Sequence, residues 1–296
     1  MKNYLNSGHL LPAFYCGKEL VCGDKKLSLA STKLMAVLNV TPDSFSDGGC
    51  FYGSLDSALK QAERMIESGV DIIDVGGEST RPGAKPVDLA EELSRVAPVV
   101  EAIKKRFDVI VSVDTSTPQV MTASADVGAG MINDVRALSR HGAIEAAAKT
   151  ALPVCLMHMQ GTPAMMQNNP AYCDVVTEVG RYLLSRADEC IAAGIAKERL
   201  LLDPGFGFGK TLEHNLQLFN ALSQMAKWQY PLLVGVSRKT MIGDITEKPV
   251  DQRLAGSLGF AMLAALQGAA IVRVHDVAET KDILKVIDAV TAAKKG

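Results

Sequence analysis

Residues 200–211 read LLLDPGFGFGKT. An apolar run ends in an acid, and a glycine-rich loop closes on Gly-Lys-Thr. The ending looks like a phosphate-binding P-loop, which would place the chain among open nucleotide-binding sheets. The spacing refuses that reading. A P-loop needs a glycine, four further residues, and then Gly-Lys-Ser/Thr, which puts the first glycine at position 204, where Pro204 stands, with no backbone N–H to give a phosphate. The dinucleotide pattern G-x-G-x-x-G fails as well, because Gly205, Gly207 and Gly209 are each two apart. What remains is a strand, an acid at its end, and a loop of unusual backbone freedom.

The same unit recurs along the chain. LMAVLN from Leu34, DIIDV from Asp71, VIVSVD from Val109, MIND from Met131, PVCLMH from Pro153, LLVGV from Leu232 and IVRVH from Ile271 join LLLD to make eight apolar runs. Continuous rather than alternating apolar character suits strands covered on both faces, as in parallel sheets. Helical periodicity follows several of them: SLDSALKQAERMIESG, with a Ser or Asp start and a stop at Gly69, residues 87–107, a segment opening at Pro118, residues 172–193 closed by Gly194, residues 251–267, and the tail from Asp276 to Lys295. Eight strands alternating with helices predict an α/β fold, a (β/α)8 barrel, in preference to an open doubly wound sheet. Polar residues cluster where the runs end: Asn39, Asp74, Asp114, Asn133, His158, Asp203, Ser237, Lys239 and His275. In barrels that rim holds the active site.

Residues 1–32 precede the first run. LVCGDKKLSLA carries two short runs around Gly-Asp, which predicts an N-terminal β-hairpin extension placed to plug the lower end of the barrel. Residues 33–296 then form a single catalytic domain. The chain of 296 residues is 48% hydrophobic and 22% charged, with a formal charge of −2. It offers no global field for nucleic acid or membrane. None of the six cysteines lies in a CxxC, which fits a reducing cytoplasm, and Cys155 reads as a small core residue. No signal peptide or membrane-length apolar run is expected. Two loops are long for their place in an α/β unit: NVTPDSFSDGGCFYG (39–53) and GGESTRPGAKPV (76–87). Both read as mobile lids.

In this order, LMAVLNVTPDSFSDGG, IIDVGGESTRPGA, VSVDTS, INDV, LMHMQGTP, DPGFGFGK, GVSRK and RVHDV resemble the dihydropteroate synthases across about residues 34–277. The resemblance implies a transferase of folate biosynthesis. It would join 6-hydroxymethyl-7,8-dihydropterin pyrophosphate to p-aminobenzoate, giving dihydropteroate and pyrophosphate by a mainly dissociative substitution. For the pterin it implies Asp203, whose carboxylate can accept two adjacent N–H groups, with Asp114, Asn133, Lys239 and Gly235, and Val135, Met157 and Phe208 as apolar walls. For pyrophosphate it implies Asn39, Ser44, Thr80, Arg273 and His275, with Asp43 nearby, and Mg²⁺ held on Asn39. For p-aminobenzoate it implies Phe45, Arg81, Pro82, Ser237 and Lys239. Asp114, Lys239, Arg273 and Asn39 are the residues expected to carry catalysis. A homodimer through the later helices and a sulfonamide-sensitive site are further expectations. The glycines of DPGFGFGKT would then let the loop lie beside a planar ring. Lys210 reads as a solvated residue at a helix start. A pterin-binding methyltransferase module has no need of the two long loops, and an inactive paralogue would have lost a catalytic residue.

Overall fold

The computed structural model describes residues 18–41, 51–79, 87–162, 165–167 and 169–293, with residues 51–54 described by backbone alone. Two short antiparallel strands come first, β1 (Glu19–Cys22) and β2 (Lys25–Ser28), joined at Gly23 and Asp24. Eight parallel strands follow: β3 (Lys33–Asn39), β4 (Ile72–Gly76), β5 (Ile110–Asp114), β6 (Met131–Asp134), β7 (Val154–Met157), β8 (Leu200–Asp203), β9 (Leu233–Gly235) and β10 (Ile271–Val274). Their spatial order is β8-β7-β6-β5-β4-β3-β10-β9. A bridge between Leu202 and Leu232 brings β9 back against β8 and rounds the sheet into a barrel.

The helices cover the barrel: α1 (Phe51–Glu67), α2 (Leu89–Arg106), α3 (Pro118–Asp126), α4 (Ala143–Thr150), α5 (Val175–Ala192), α6 (Leu212–Asn220), α7 (Leu222–Met225), α8 (Thr240–Thr246), α9 (Leu254–Leu266) and α10 (Val277–Ala292). All eight expected strands form within a residue or two of their apolar runs. The helices differ more. α1 begins at Phe51, ahead of its expected polar start. The stretch 251–267 is not one helix: a 3-10 turn at Val250–Gln252 precedes α9.

Period-two geometry divides each strand between two environments. Leu34, Ala36, Leu38, Ile73, Val75, Val111, Val113, Leu200 and Leu202 point outward and join the apolar layer under the helices. Met35, Ile72, Ile110, Met131, Cys155, Leu201, Leu233 and Ile271 point inward and fill the lower barrel. Leu20, Cys22, Leu27 and Leu29 of the hairpin belong to that same lower cluster, so the hairpin is the plug that its sequence suggests. Its fit is close: a β-carbon on Gly130 would lie 2.9 Å from the carbonyl oxygen of Cys22. Asp24 pairs with Lys104 at 3.0 Å, and Lys25 pairs with Asp108. Cys155 is fully buried, the core residue it was expected to be.

The register then decides what the upper barrel presents. Val37 pairs with Asp74, Asp74 with Ser112, Gly76 with Asp114, Asp114 with Asn133, and Met157 with Asp203. Above the apolar plug the inward positions turn polar, at the end of the barrel where the strands finish.

Candidate active site at the barrel rim

An open pocket at this rim is lined by Val37, Asp114, Asn133, Val135, Met157, Asp203, Phe208, Gly235, Ser237, Lys239, Arg273 and His275. All eight expected pterin residues line it, with Ser237, Arg273 and His275. Asn39 ends β3 and reaches the same rim: a β-carbon on Gly76 would lie 3.6 Å from Asn39 Oδ1 and 3.8 Å from Asp114 Oδ2. Asp43, Ser44, Phe45, Thr80, Arg81 and Pro82 lie outside the described residues.

Charge is organised around Arg273. Its Nε donates to Asp74 Oδ2 at 2.7 Å and its Nη2 to Asp114 Oδ2 at 2.9 Å. Asn133 Nδ2 donates to the same oxygen of Asp74 at 3.0 Å. Asp74, fully buried in mid-strand, does not line the pocket. It holds Arg273 and Asn133 from one layer below, a task the sequence reading did not give it. The signal was present: an acid inside DIIDV, at the inward parity of its strand. Burial pushes the Asp114 carboxyl up to about 7, against the pull of Arg273; Asp74, Asp134 and Glu78 push the same way as burial.

Asp203 ends β8 and is buried. Its Oδ1 accepts the N–H of Gly205 at 2.7 Å, which fixes the carboxylate's orientation. Burial raises its pKa, and Gly205, Lys239, Lys210 and Arg273 oppose the rise. The loop after it needs its glycines. Gly205 has φ +68 and a β-carbon there would meet His158 O at 1.8 Å; Gly209 has φ +65 and would meet Gln160 O at 2.5 Å. The loop therefore lies flush on the β7 loop, and Gly207 N–H is held by Asn215 Oδ1 at 2.8 Å. Lys239 donates to the carbonyl of Phe206, and its Nζ stands 4.3 Å from the centroid of the Phe208 ring. Burial brings the Lys239 amine down to about 8.

Lys210 overturns the expectation of a solvated helix start. It is 3% exposed, and its Nζ bonds inside the loop, to Gly205 O at 2.8 Å and Phe208 O at 3.0 Å, and to His158 Nδ1 at 2.9 Å. Neither reading of the Gly-Lys-Thr ending, phosphate anchor or solvated residue, describes it.

Ser237 Oγ accepts the backbone N–H of His275 at 3.2 Å and lies 3.1 Å from its Nδ1. Between Ser237 and Lys239, Arg238 takes a left-handed φ of 58. It points away to pair with Asp276 and is held by Ser257 and Arg253.

The pterin binding enzyme family matches residues 35–275, a span that contains the whole of this pocket. The chain belongs to that family. Within it, the dihydropteroate synthase of Escherichia coli (strain K12) is 57% identical over 269 residues, covering 91% of this chain and 95% of the relative. That of Haemophilus influenzae (strain ATCC 51907 / DSM 11121 / KW20 / Rd) is 54% identical, covering 93% and 100%. Among solved structures, a Yersinia pestis dihydropteroate synthase in a sulfonamide drug complex superposes with a TM-score of 0.88 at 54% identity, over 93% of this chain and 99% of that one. A Xanthomonas albilineans dihydropteroate synthase in complex with 7,8-dihydropteroate superposes at 0.84 and 44% identity, with the same coverage. This likeness covers about nine-tenths of the chain, and it makes the chain a transferase of folate biosynthesis, a dihydropteroate synthase by family.

Proposed function

We propose that the rim pocket is where this chain joins 6-hydroxymethyl-7,8-dihydropterin pyrophosphate to p-aminobenzoate, releasing pyrophosphate and forming 7,8-dihydropteroate. The reaction is that of the family. The assignment of roles rests on one observation: Asp114, Asn133 and Asp203 from three strands, and Lys239 from the N-terminus of α8, face one pocket together with Arg273.

Asp203 reads the donor edge of the pterin. Its Oδ1 is anchored by Gly205, so the carboxylate is oriented before the ligand arrives, and a preoriented acceptor loses less freedom on binding. Lys239 donates to the carbonyl side of the ring, and Asn133 to Asp114's side of the heterocycle. Met157, Val135 and Phe208 supply apolar walls. Arg273 spends two of its five N–H donors on Asp74 and Asp114, and the others are left for pyrophosphate, with His275. As the methylene carbon–oxygen bond breaks, charge moves to the departing pyrophosphate, where a fixed guanidinium stabilises it. Positive charge is left on the pterin methylene, beside the Asp114 carboxylate. The aniline nitrogen of p-aminobenzoate then attacks. It is nucleophilic when neutral, so no strong base is required. Ser237 and Lys239 line the pocket and take p-aminobenzoate; the roles of Phe45, Arg81 and Pro82 toward p-aminobenzoate, and of Ser44 and Thr80 toward the anion, rest on the family resemblance alone.

The donor set suits Mg²⁺. A neutral amide oxygen at Asn39 converges with Asp114 over Gly76, where a side chain would fill the space. Magnesium prefers oxygen ligands, retains waters and shares substrate phosphates, so one protein oxygen with pyrophosphate suffices. When bound, the ion neutralises phosphate charge.

A homodimer is part of this reading. α9 (LAGSLGFAMLAAL) is apolar all round, yet Leu254, Met262 and Leu263 are exposed, as are Val286 and Val290 on the adjacent α10. A helix apolar on every side calls for cover on every side. Among the described residues no helix is long and apolar enough to cross a membrane. Cytoplasmic residence suits the free, buried thiols of Cys22, Cys155 and Cys190.

The test is pyrophosphate release from the pterin substrate, with and without p-aminobenzoate and Mg²⁺. Turnover dependent on all three is expected; turnover that ignores p-aminobenzoate rejects the reading.

A further inference from the structure

Lys210 is a basic side chain that the reaction above does not use; burial lowers its pKa well below that of a free lysine, and Asp203 pulls the other way. It is buried, and it is absent from the pocket lining. An ammonium carries three protons, and three short acceptors surround this one: Gly205 O, Phe208 O and His158 Nδ1. A fourth contact, His158 O at 3.4 Å, is longer. For Nδ1 to accept, the imidazole proton must sit on Nε2 and the ring must be neutral. Its surroundings keep it so. Burial and the neighbouring Lys210 charge push the His158 pKa down to about 3, and the Tyr182 ring stands edge-on to it at 5.0 Å.

The three acceptors are not arbitrary carbonyls. Gly205 and Phe208 are the two ends of the turn that follows Asp203, closed by Phe208 N–H on Gly205 O at 3.1 Å. Gly205 N–H orients the Asp203 carboxylate, Phe206 O receives Lys239, and the Phe208 ring lies against the Lys239 amine. His158 N–H bonds Asp203 O at 3.0 Å, so the β7 loop is fixed to the same residue. Every group assigned to the pterin on this side of the pocket thus hangs on one turn, and Lys210 fastens that turn from within.

We infer that Lys210 is a positioning residue for pterin recognition: its ammonium, completed by neutral His158, locks the 205–208 turn that aims Asp203, Phe208 and Lys239 into the pocket. This rests on the pterin role proposed for Asp203, and the two are separable. The cost of losing it is felt in binding, because a buried turn whose Phe208 O loses its ammonium donor, and whose Gly205 O keeps only Phe208 N–H, relaxes and the carboxylate moves with it.

The experiment uses the full chain and four variants: Lys210→Met, His158→Phe, His158→Asn and Asp203→Asn. Steady-state KM is measured for each substrate, with melting temperature alongside. Lys210→Met and His158→Phe should raise the pterin KM about ten-fold or more and the p-aminobenzoate KM by less, because of the two described p-aminobenzoate residues only Lys239 donates to this turn. His158→Asn should recover most of the loss, since its side-chain oxygen falls near the position of Nδ1 and accepts from Lys210. A pterin KM unchanged in Lys210→Met, or His158→Asn as impaired as His158→Phe, overturns the inference. If Lys210→Met does not fold, the two His158 variants decide. Unchanged pterin affinity in Asp203→Asn would instead reject the pterin role of Asp203, whatever the Lys210 result.

Discussion

Asp203 has two oxygens, and the chain anchors one of them with Gly205 N–H, which leaves the second for a ligand. Asp203→Asn keeps the shape and turns an acceptor into an amide whose N–H₂ faces N–H groups. That mismatch costs about 1–3 kcal/mol, so pterin affinity should fall by roughly one to two powers of ten, read by calorimetry with the unphosphorylated pterin; equal affinity rejects the assignment. The neighbouring ionisations define a pH window. Asp114 is held up at about 7 by burial and serves as carboxylate, so kcat/KM should climb as pH rises through about 7. Lys239 is brought down to about 8 by burial and serves as ammonium, so kcat/KM should fall above that. Asp114→Asn should lose the acid limb and keep the alkaline one. Stability runs the other way on the acid side. A carboxyl whose folded pKa is raised above its ordinary 3.8 favours the fold below 3.8, and that contribution is lost as pH rises through about 7. Thermal melts of the wild type and Asp114→Asn between pH 4 and 8 measure the difference: the wild type should lose stability over that range relative to the variant. A flat pH–rate profile between 6 and 9 would contradict both roles.

At the level of elements, the hairpin and the rim divide the work of the barrel. β1 and β2 fill its lower mouth with Leu20, Cys22, Leu27 and Leu29, one barrel length from the pocket. Leu27→Ala removes a buried side chain from a packed cluster, which costs about 2–5 kcal/mol. The denaturant midpoint should drop while both KM values hold; a raised pterin KM would show that the plug also shapes the site. The eight strands and this hairpin were legible because buried parallel strands are continuous apolar runs and their ends are polar. Helices with weak local signals were not. α4 follows a left-handed Gly142 with no side-chain cap, so its start carries no capping signal although AIEAAAKT is rich in strong helix formers. α9 begins only after a 3-10 turn, with Arg253 as its first flanking residue. At the site, the acids and lysine on the strand ends were legible as a set. Two residues were not, for a common reason: their partners come from other elements. Asp74 reads like its rim neighbours until the register sets it under Arg273. Lys210 reads as surface until the turn folds back and three acceptors surround its ammonium.

Among the described residues of the whole molecule, the helices α8 to α10 carry exposed apolar side chains with no cover. α9 packs beside α8 and α10 and leaves Met262 and Leu263 at 38% and 45% exposed. With Leu254 on α9, Ile245 on α8, Val250 in the turn after it, and Val286 and Val290 on α10, this stretch from α8 to α10 holds most of the exposed large hydrophobic residues described. Scattered single apolar residues on a surface need no explanation, but a contiguous group on adjacent helices does. A second copy of the chain is the simplest cover, because a two-fold axis lets the same apolar patch meet itself. The rim pocket opens elsewhere, at the ends of the strands, so association need not obstruct substrate entry. Leu263→Asp places a charge in such an interface, where two copies would face each other near the axis. Burying one unpaired carboxylate costs several kcal/mol, and the symmetric pair doubles the cost. The variant should sediment at half the mass of the wild type at micromolar concentration, with an unaltered far-ultraviolet spectrum. If the wild type already sediments as one chain, the apolar face is not a dimer surface, and the same run reports it.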